Sequence, residues 1–462
     1  MGSIVEGRRR PVQRLAARVI RRRFATTMSE PASPAQSVLP HRRVDLLVVG
    51  AGAAGLFAAT WAGRAARQAG RPLSLLAVDG ARRLGAKILV AGGGRCNVTH
   101  DCVSADDYAG STPPAIRKVL RRFDVAETVA FFAAAGVTLK REETGKLFPV
   151  TDSARTVLDA LVAEARSAGA EILHPARVTS LVREADGFVA TSDAGPIRAD
   201  RVILATGGKS LPKSGSDGGG FALAAGLGHA LTAPIVPALV PLLLPAGHWI
   251  TTLSGLTLDA EVALRTATGR RLLAVRGSTL CTHQGLSGPA VLDISRHWLV
   301  ARHADPGVAL SINWLPGLDE AAADGLLIAG QARGPLTVLR ERLPDRLAKA
   351  LCAAAGASPS GDLPREARRR LAALVVATPL PVSGDRGFAV AEATAGGVPL
   401  AEVRLETMES RICPGLHFAG EVLDVDGRIG GFNFQWAWAS GFVAGRAAAA
   451  ASAGAGSPAT TS

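Results

Sequence analysis

Five cysteines in 462 residues, at Cys96, Cys102, Cys281, Cys352 and Cys413, are too few and too scattered to staple a small secreted fold. No two of them are separated by two to four residues, so the paired spacing of a zinc site is missing too. Such usage fits a reduced, intracellular protein, and a cytoplasmic location is expected. Tyrosine occurs once, at Tyr108, and gives no basis for tyrosine chemistry. Unbroken apolar runs are also wanting. Residues 46–63 carry no charge, near the length of a membrane helix, but Gly50, Gly52 and Gly55 mark a turn inside them. The run 233–246 is interrupted by Pro234, Pro237, Pro241 and Pro245. No membrane partner is expected.

Acidic residues are scarce in one place. The net charge is +13, which by itself would suggest nucleic acid. Residues 1–43 hold ten arginines against Glu6 and Glu30, a local +8, and the rest of the chain has 42 basic against 37 acidic residues. The basicity therefore belongs to a tail. Residues 1–27, followed by Met28, read as a transit-like amphipathic segment, a polyanion-binding arm, or an extension upstream of a start at Met28. Residues 29–40 are a Ser/Pro/Ala linker. The plainest expectation is a disordered tail over 1–43, with any nucleic-acid binding nonspecific, and a second disordered tail over 448–462.

Between the tails the pattern is α/β. Residues 44–49 form an apolar run suited to a buried parallel strand, a helix follows from about 53 to 69, and 73–78 is a second strand closed by Asp79. A helical pattern over 111–135, a hairpin around Glu143–Gly145, a helix over 153–168 and strands over 176–192 and 201–206 follow. Residues 235–315 alternate as in an antiparallel sheet or small barrel, and 318–378 are mostly helical. A last helix covers 432–447. The segment 213–384 thus reads as an insertion that splits a nucleotide-binding domain into 44–212 and 385–447.

The strongest local motif is Gly50-Ala51-Gly52-Ala53-Ala54-Gly55, after a strand and opening a helix. The first glycine allows a tight turn, the second lets a pyrophosphate approach the backbone, and the third lets helix and strand pack closely. Free N–H groups and the positive dipole end at the helix start favour phosphate. Asp79 stands where a carboxylate can accept hydrogen bonds from a ribose. No second such fingerprint follows a strand, which favours a bound flavin over a shuttling nicotinamide. Gly92-Gly93-Gly94-Arg95 could cradle a pyrophosphate or line a flavin, and Gly430-Gly431 precede a helix whose dipole could steady a reduced flavin.

Five stretches then make the chain recognisable: VVGAGAAGL (48–56), GAKILVAGGGRCNVTH (85–100), ATGGKSLPKSGSDGGGFALAAGLGH (205–229), THQGLSGPAVLDIS (282–295) and AGEVLDVDGRIGGFNFQWAWASG (419–441). It closely resembles the YhiN-type bacterial flavoproteins, often labelled aminoacetone-oxidase-like, over about residues 44–447. The resemblance implies a glutathione-reductase-like FAD domain of Rossmann type with an inserted β-barrel-like plus helical module, tight FAD binding and flavin oxidoreductase activity. It places Gly50, Gly52, Ala53, Ala54 and Gly55 at the pyrophosphate and Asp79 at the adenosine ribose, although many such flavoproteins have Glu there. Lys87, Gly93, Arg95, Cys96 and Asn97 would lie along the ribityl chain and flavin. Val178 would meet the adenine, and Thr206 and Gly207 would close the loop above the nucleotide. Gly420, Glu421, Gly431, Phe432 and Asn433 would contact the ribityl and pyrimidine side.

For chemistry, His283 is a candidate general base, against the plainer reading of a loop histidine. Cys96 and Cys102 leave five residues between them and are expected to be ordinary thiols rather than a redox disulfide. Trp436 and Trp438 are expected to pack the last helix, with one of them a candidate to stack near the flavin. The preferred expectation is an FAD-dependent oxidoreductase of a small molecule, of amine-oxidase type with oxygen as acceptor. The alternatives are an NAD(P)H-dependent reductase of an unsaturated substrate, with nicotinamide bound transiently, and a flavin-containing RNA-binding or RNA-modifying protein.

Overall fold

The structure, a computed structural model, describes residues 42–359 and 363–450. The expectations for residues 1–41 and 451–462 lie outside the described residues.

A βαβ unit opens the chain because its residues leave little choice. β1 (Arg42–Val49) is buried from Leu46 onward, α1 (Ala53–Gln68) follows after the glycine turn, and β2 (Leu75–Val78) is buried throughout. Apolar strands covered on both faces belong at the centre of a parallel sheet. β1 lies between β2 and β4 (Gly195–Leu204), with β3 (Ala170–Leu173) beyond β2 and Leu416–Phe418 beyond β4, all parallel. The register aligns Val48 with Ile203 on one side and Ala77 on the other. β1 starts two residues before the expected 44. Arg42 and Arg43 belong to the sheet rather than to the tail, through ion pairs with Glu171 and with Asp200 at 2.9 Å. The single helical stretch expected over 111–135 is two helices, Pro113–Leu120 and Val125–Ala134, because Asp124 and Glu127 form a reciprocal cap that starts the second.

The second module has its own core, running from Leu242 to Leu380. The insertion therefore starts later than residue 213: the helix Gly219–Gly226 buries Phe221, Leu223 and Ala224 in the first core. β5 (Thr257–Arg265) and β6 (Arg271–Thr282) form a long hairpin, α2 (Pro289–Ala304) follows, and β7 (Ala309–Asn313) pairs with β5. The seven-stranded antiparallel sheet runs from the edge strand Thr378–Leu380 to the edge strand Gly384–Asp385, which are not paired with each other. Only Pro381, Val382 and Ser383 separate those edges. The sheet must curl until its ends lie within about 14 Å, the reach of four extended steps. It is barrel-like, without a hydrogen-bonded seam. Four helices between Glu320 and Ala377 bury Leu327, Leu339, Leu351 and Leu371 in the same core.

The chain returns to the first module through Ala393–Ala395, which pairs with Val236–Ala238, and ends in α3 (Phe432–Ala450) packed along α1. No helix among the described residues is long and apolar enough to cross a membrane.

Candidate active site

The glycine turn builds the site from the backbone outward. Gly50 has φ +100°, and a Cβ there would sit 2.4 Å from the Ala205 carbonyl oxygen, so only glycine fits. At Gly55 a Cβ would stand 1.7 Å from the Gly50 oxygen, which is the close helix-to-strand approach expected of the third glycine. Gly52 faces open space instead. Asp79 fixes the loop from the next strand: Oδ2 accepts from the Ala51 N–H at 2.7 Å and Oδ1 from the Ala81 N–H at 2.8 Å. Burial pushes this carboxyl up, and the two amide donors pull it back. Asp79 therefore orders the glycine turn and also lines the cleft.

The cleft is a cavity of about 660 Å³ along the carboxyl ends of the parallel strands. Among the expected residues, Gly50, Gly52, Ala53, Ala54, Asp79, Lys87, Gly93, Arg95, Asn97, Val178, Thr206, Gly207, Gly420, Glu421, Gly431 and Asn433 line it. Gly55, Cys96 and Phe432 stand outside the lining. Gly55 packs helix on strand, and Phe432 stacks on His100 at 4.9 Å. Cys96 is fully buried, and burial pushes its thiol up to about 12, so it is inert as a nucleophile. All five cysteines are free. His283 is exposed in the turn between β6 and Gly285–Ser287 and does not line the cavity. Trp436 and Trp438 are buried, with their indole N–H groups donating to the Gly420 and Val98 carbonyls at 3.2 and 2.8 Å, and neither lines the cavity.

Several expected contacts are committed elsewhere in part. The Arg95 guanidinium pairs with Glu142 at 2.6 Å and lies 4.0 Å over the Phe148 ring. Lys87 donates to Ser210 Oγ at 2.6 Å and pairs with Glu421, tying the helix Ala86–Val90 to the segment Gly420–Val422. Asn433 clamps both backbone groups of Gly427, at 2.9 and 3.0 Å.

Three buried polar atoms in the lining have no partner: Asn97 Oδ1, Thr206 Oγ1 and Ser216 Oγ. Leaving such atoms unpaired costs about 1–3 kcal/mol each. Their clustering on one cleft, together with the glycine cradle, fits a polar ligand the size of a dinucleotide, and FAD is the cofactor.

Sequence reading missed part of the wall. Arg177, paired with Asp217, and Ser216 and Gly220 come from the glycine cluster after β4 or just before Val178. That cluster was visible but followed no apolar strand of its own. Lys146, Glu392 and Leu239 also line the cavity, and no local motif marks them.

A Rossmann-type cleft with these donors defines an FAD-dependent oxidoreductase. The match to the family model described as HI0933-like protein Rossmann domain covers residues 44–447, and the chain belongs to that family. It is 36% identical over 410 residues to a 3-dehydro-bile acid delta(4,6)-reductase of Clostridium scindens, covering 87% of this chain and 98% of the relative. It is 34% identical over 404 residues to the ribosomal RNA dihydrouridine synthase of Escherichia coli, covering 86% and 96%. Among solved structures, a 3-ketosteroid-delta4-(5alpha)-dehydrogenase of Rhodococcus jostii is similar at 16% identity and a TM-score of 0.46, covering 91% of this chain and 99% of that one.

Proposed function

We propose that this protein reduces a carbon–carbon double bond conjugated to a carbonyl, with electrons drawn from NAD(P)H. The observation that carries the reading is a shared reaction under two different substrate names. A delta(4,6)-reductase saturates ring double bonds of a 3-oxo acid, and dihydrouridine is uridine saturated at its 5,6 bond. Both relatives span nearly their whole length on this chain. An amine oxidase, the expectation from the sequence, finds no counterpart in those names.

When bound, FAD supplies hydride transfer between the nicotinamide and the substrate. Within the chain, the Gly50 turn and the start of α1 bind the phosphates, and Asp79 holds that turn in shape. The Lys87–Glu421–Ser210 cluster locks the floor of the cleft. Phe148, Leu239, Val390 and Ile429 add apolar lining to the same cavity.

The test is anaerobic mixing of the yellow protein with NADPH or NADH, then addition of cyclohexenone, a 3-oxo steroid enone or protein-free ribosomal RNA. Bleaching followed by return of colour, with the saturated product recovered, is the expected result. Return of colour only on admission of oxygen, with peroxide formed from an amine, would instead establish the oxidase.

A further inference from the structure

Resting on that reading, we propose that Glu392 and Lys146 are the proton-delivering pair of the reaction. Elimination leads to them. Around the cavity, Asp79 is tied to two amides, Asp217 to Arg177, Glu421 to Lys87, Arg95 to Glu142, and Arg428 to Asp107 at 3.0 Å. Among the described residues, Lys146 and Glu392 are the lining titratable side chains with no direct side-chain partner. Tyrosine, cysteine and histidine, the other side chains that commonly move a proton, are absent from the lining among the described residues. The Tyr108 hydroxyl is buried and donates to the Phe432 carbonyl at 2.8 Å, Cys96 is sealed behind the wall, and His283 lies outside the cavity.

The two groups reach the cleft from segments far apart in the chain, close enough for the Lys146 charge to act on Glu392. Lys146 begins the strand Lys146–Pro149, two residues before Phe148, which also lines the cavity. Glu392 lies between Gly384–Asp385 and Ala393–Ala395, its backbone held by Glu392 N–H to Leu239 O at 3.2 Å and by Ser210 Oγ to Glu392 O at 3.2 Å. Its side chain is exposed to the open cavity, and desolvation by the surrounding protein raises its carboxyl from the ordinary value. Lys146 and Lys87 pull it down and Asp293 pushes it up. A backbone fixed at both ends and a free carboxyl suit a general acid.

Saturating a conjugated bond adds two hydrogens. Bound reduced flavin would supply the β-carbon with a hydride and both its electrons. The α-carbon forms its C–H bond with the proton of Glu392 as that O–H bond breaks, and Lys146 faces the carbonyl oxygen on which negative charge gathers. Water reprotonates the Glu392 carboxylate. NAD(P)H would be the two-electron donor, leaving as NAD(P)+.

The test uses full-length holoprotein carrying Glu392→Gln, Glu392→Asp or Lys146→Met, with flavin content and spectrum as the check on folding. The flavin is reduced photochemically, and its reoxidation is followed with cyclohexenone or a uridine-containing RNA, whichever the wild type accepts. Glu392→Gln is expected to slow reoxidation about 100-fold and to flatten its pH profile, and Glu392→Asp to restore a profile at partial rate. Binding of para-chlorophenol to the oxidised holoprotein, read as a long-wavelength charge-transfer band, stands in for the oxyanion. Lys146→Met should weaken it about tenfold or more. Wild-type rates in Glu392→Gln would overturn the assignment. If the wild type accepts neither probe, the reductase reading falls. The phenol arm then still judges the pair, since unchanged affinity in both Lys146→Met and Glu392→Gln would overturn it.

Discussion

Asp79, expected at a ribose, lines the cleft with its carboxylate already committed to the backbone. Its position after β2 suits a ribose, yet both oxygens already receive loop amides, at 2.7 and 2.8 Å. Asparagine would keep one acceptor and turn a donor toward a backbone N–H. Asp79→Asn should therefore cost about 1–3 kcal/mol, expressed as weaker FAD retention. Titration of the deflavinated variant with FAD measures it, and an affinity equal to wild type would show that loop order does not depend on this carboxylate. Lys146 and Glu392 mark the opposite case. Neither carries a motif, because what distinguishes them is the lack of a partner, and partners come from distant segments.

Among the elements, α1 and α3 form the closest helix pair of the first module. A Cβ at Gly441 would meet the Ala54 carbonyl oxygen at 2.8 Å, and one at Gly445 would meet that of Ala58 at 2.2 Å. These glycines are one turn apart, so they let the two backbones touch along one face. Gly445→Ala should destabilise the holoprotein by about 1–3 kcal/mol through overpacking, read in a denaturant midpoint. A midpoint unchanged from wild type would mean that the helices part without cost. The pairing matters for the site because the start of α1 carries the phosphate loop and the start of α3 carries Gly431 and Asn433. The helices themselves were legible in the sequence, from a glycine turn and a long apolar run. Their contact was not, since glycine in a helix signals flexibility until a second backbone is seen against it.

Across the whole molecule, the two modules meet over buried charge. Arg296 on α2 pairs with Asp426 at 3.0 Å, and Asp293 on the same helix accepts from the Ile429 N–H at 2.7 Å. Burial pushes Asp426 up to about 7, against the pull of Arg296, with Asp424 and Glu421 adding to the rise. A carboxyl raised on folding contributes stability that is present below its ordinary value and lost as pH climbs through about 7. Thermal midpoints of the wild type should therefore fall between about pH 4 and 7 more steeply than those of Asp426→Asn. Equal slopes would show that Asp426 does not titrate in that window. Arg296→Met would strand the carboxylate at about 3–5 kcal/mol when it is charged, so its penalty in denaturant unfolding should grow toward the alkaline side. A penalty that is flat with pH would count against the pairing. Deleting residues 1–41 should lower the salt dependence of RNA binding while leaving flavin reduction by NADPH intact.

The resemblance of the long motifs implied FAD, and local pattern was enough to specify the βαβ unit and the glycine turn. The unit and the turn rest on periodicity or on spacings that short-range sterics enforce, as at Gly50 and Gly55. Long-range contact was needed to place the helix Gly219–Gly226 in the first core, to curl the inserted sheet without a seam, and to set His283 and Cys96 off the cavity. The same contact brought Lys146 and Glu392, 246 positions apart, to one wall. Burial and charge pairing depend on which segments meet, and no window of sequence contains both partners.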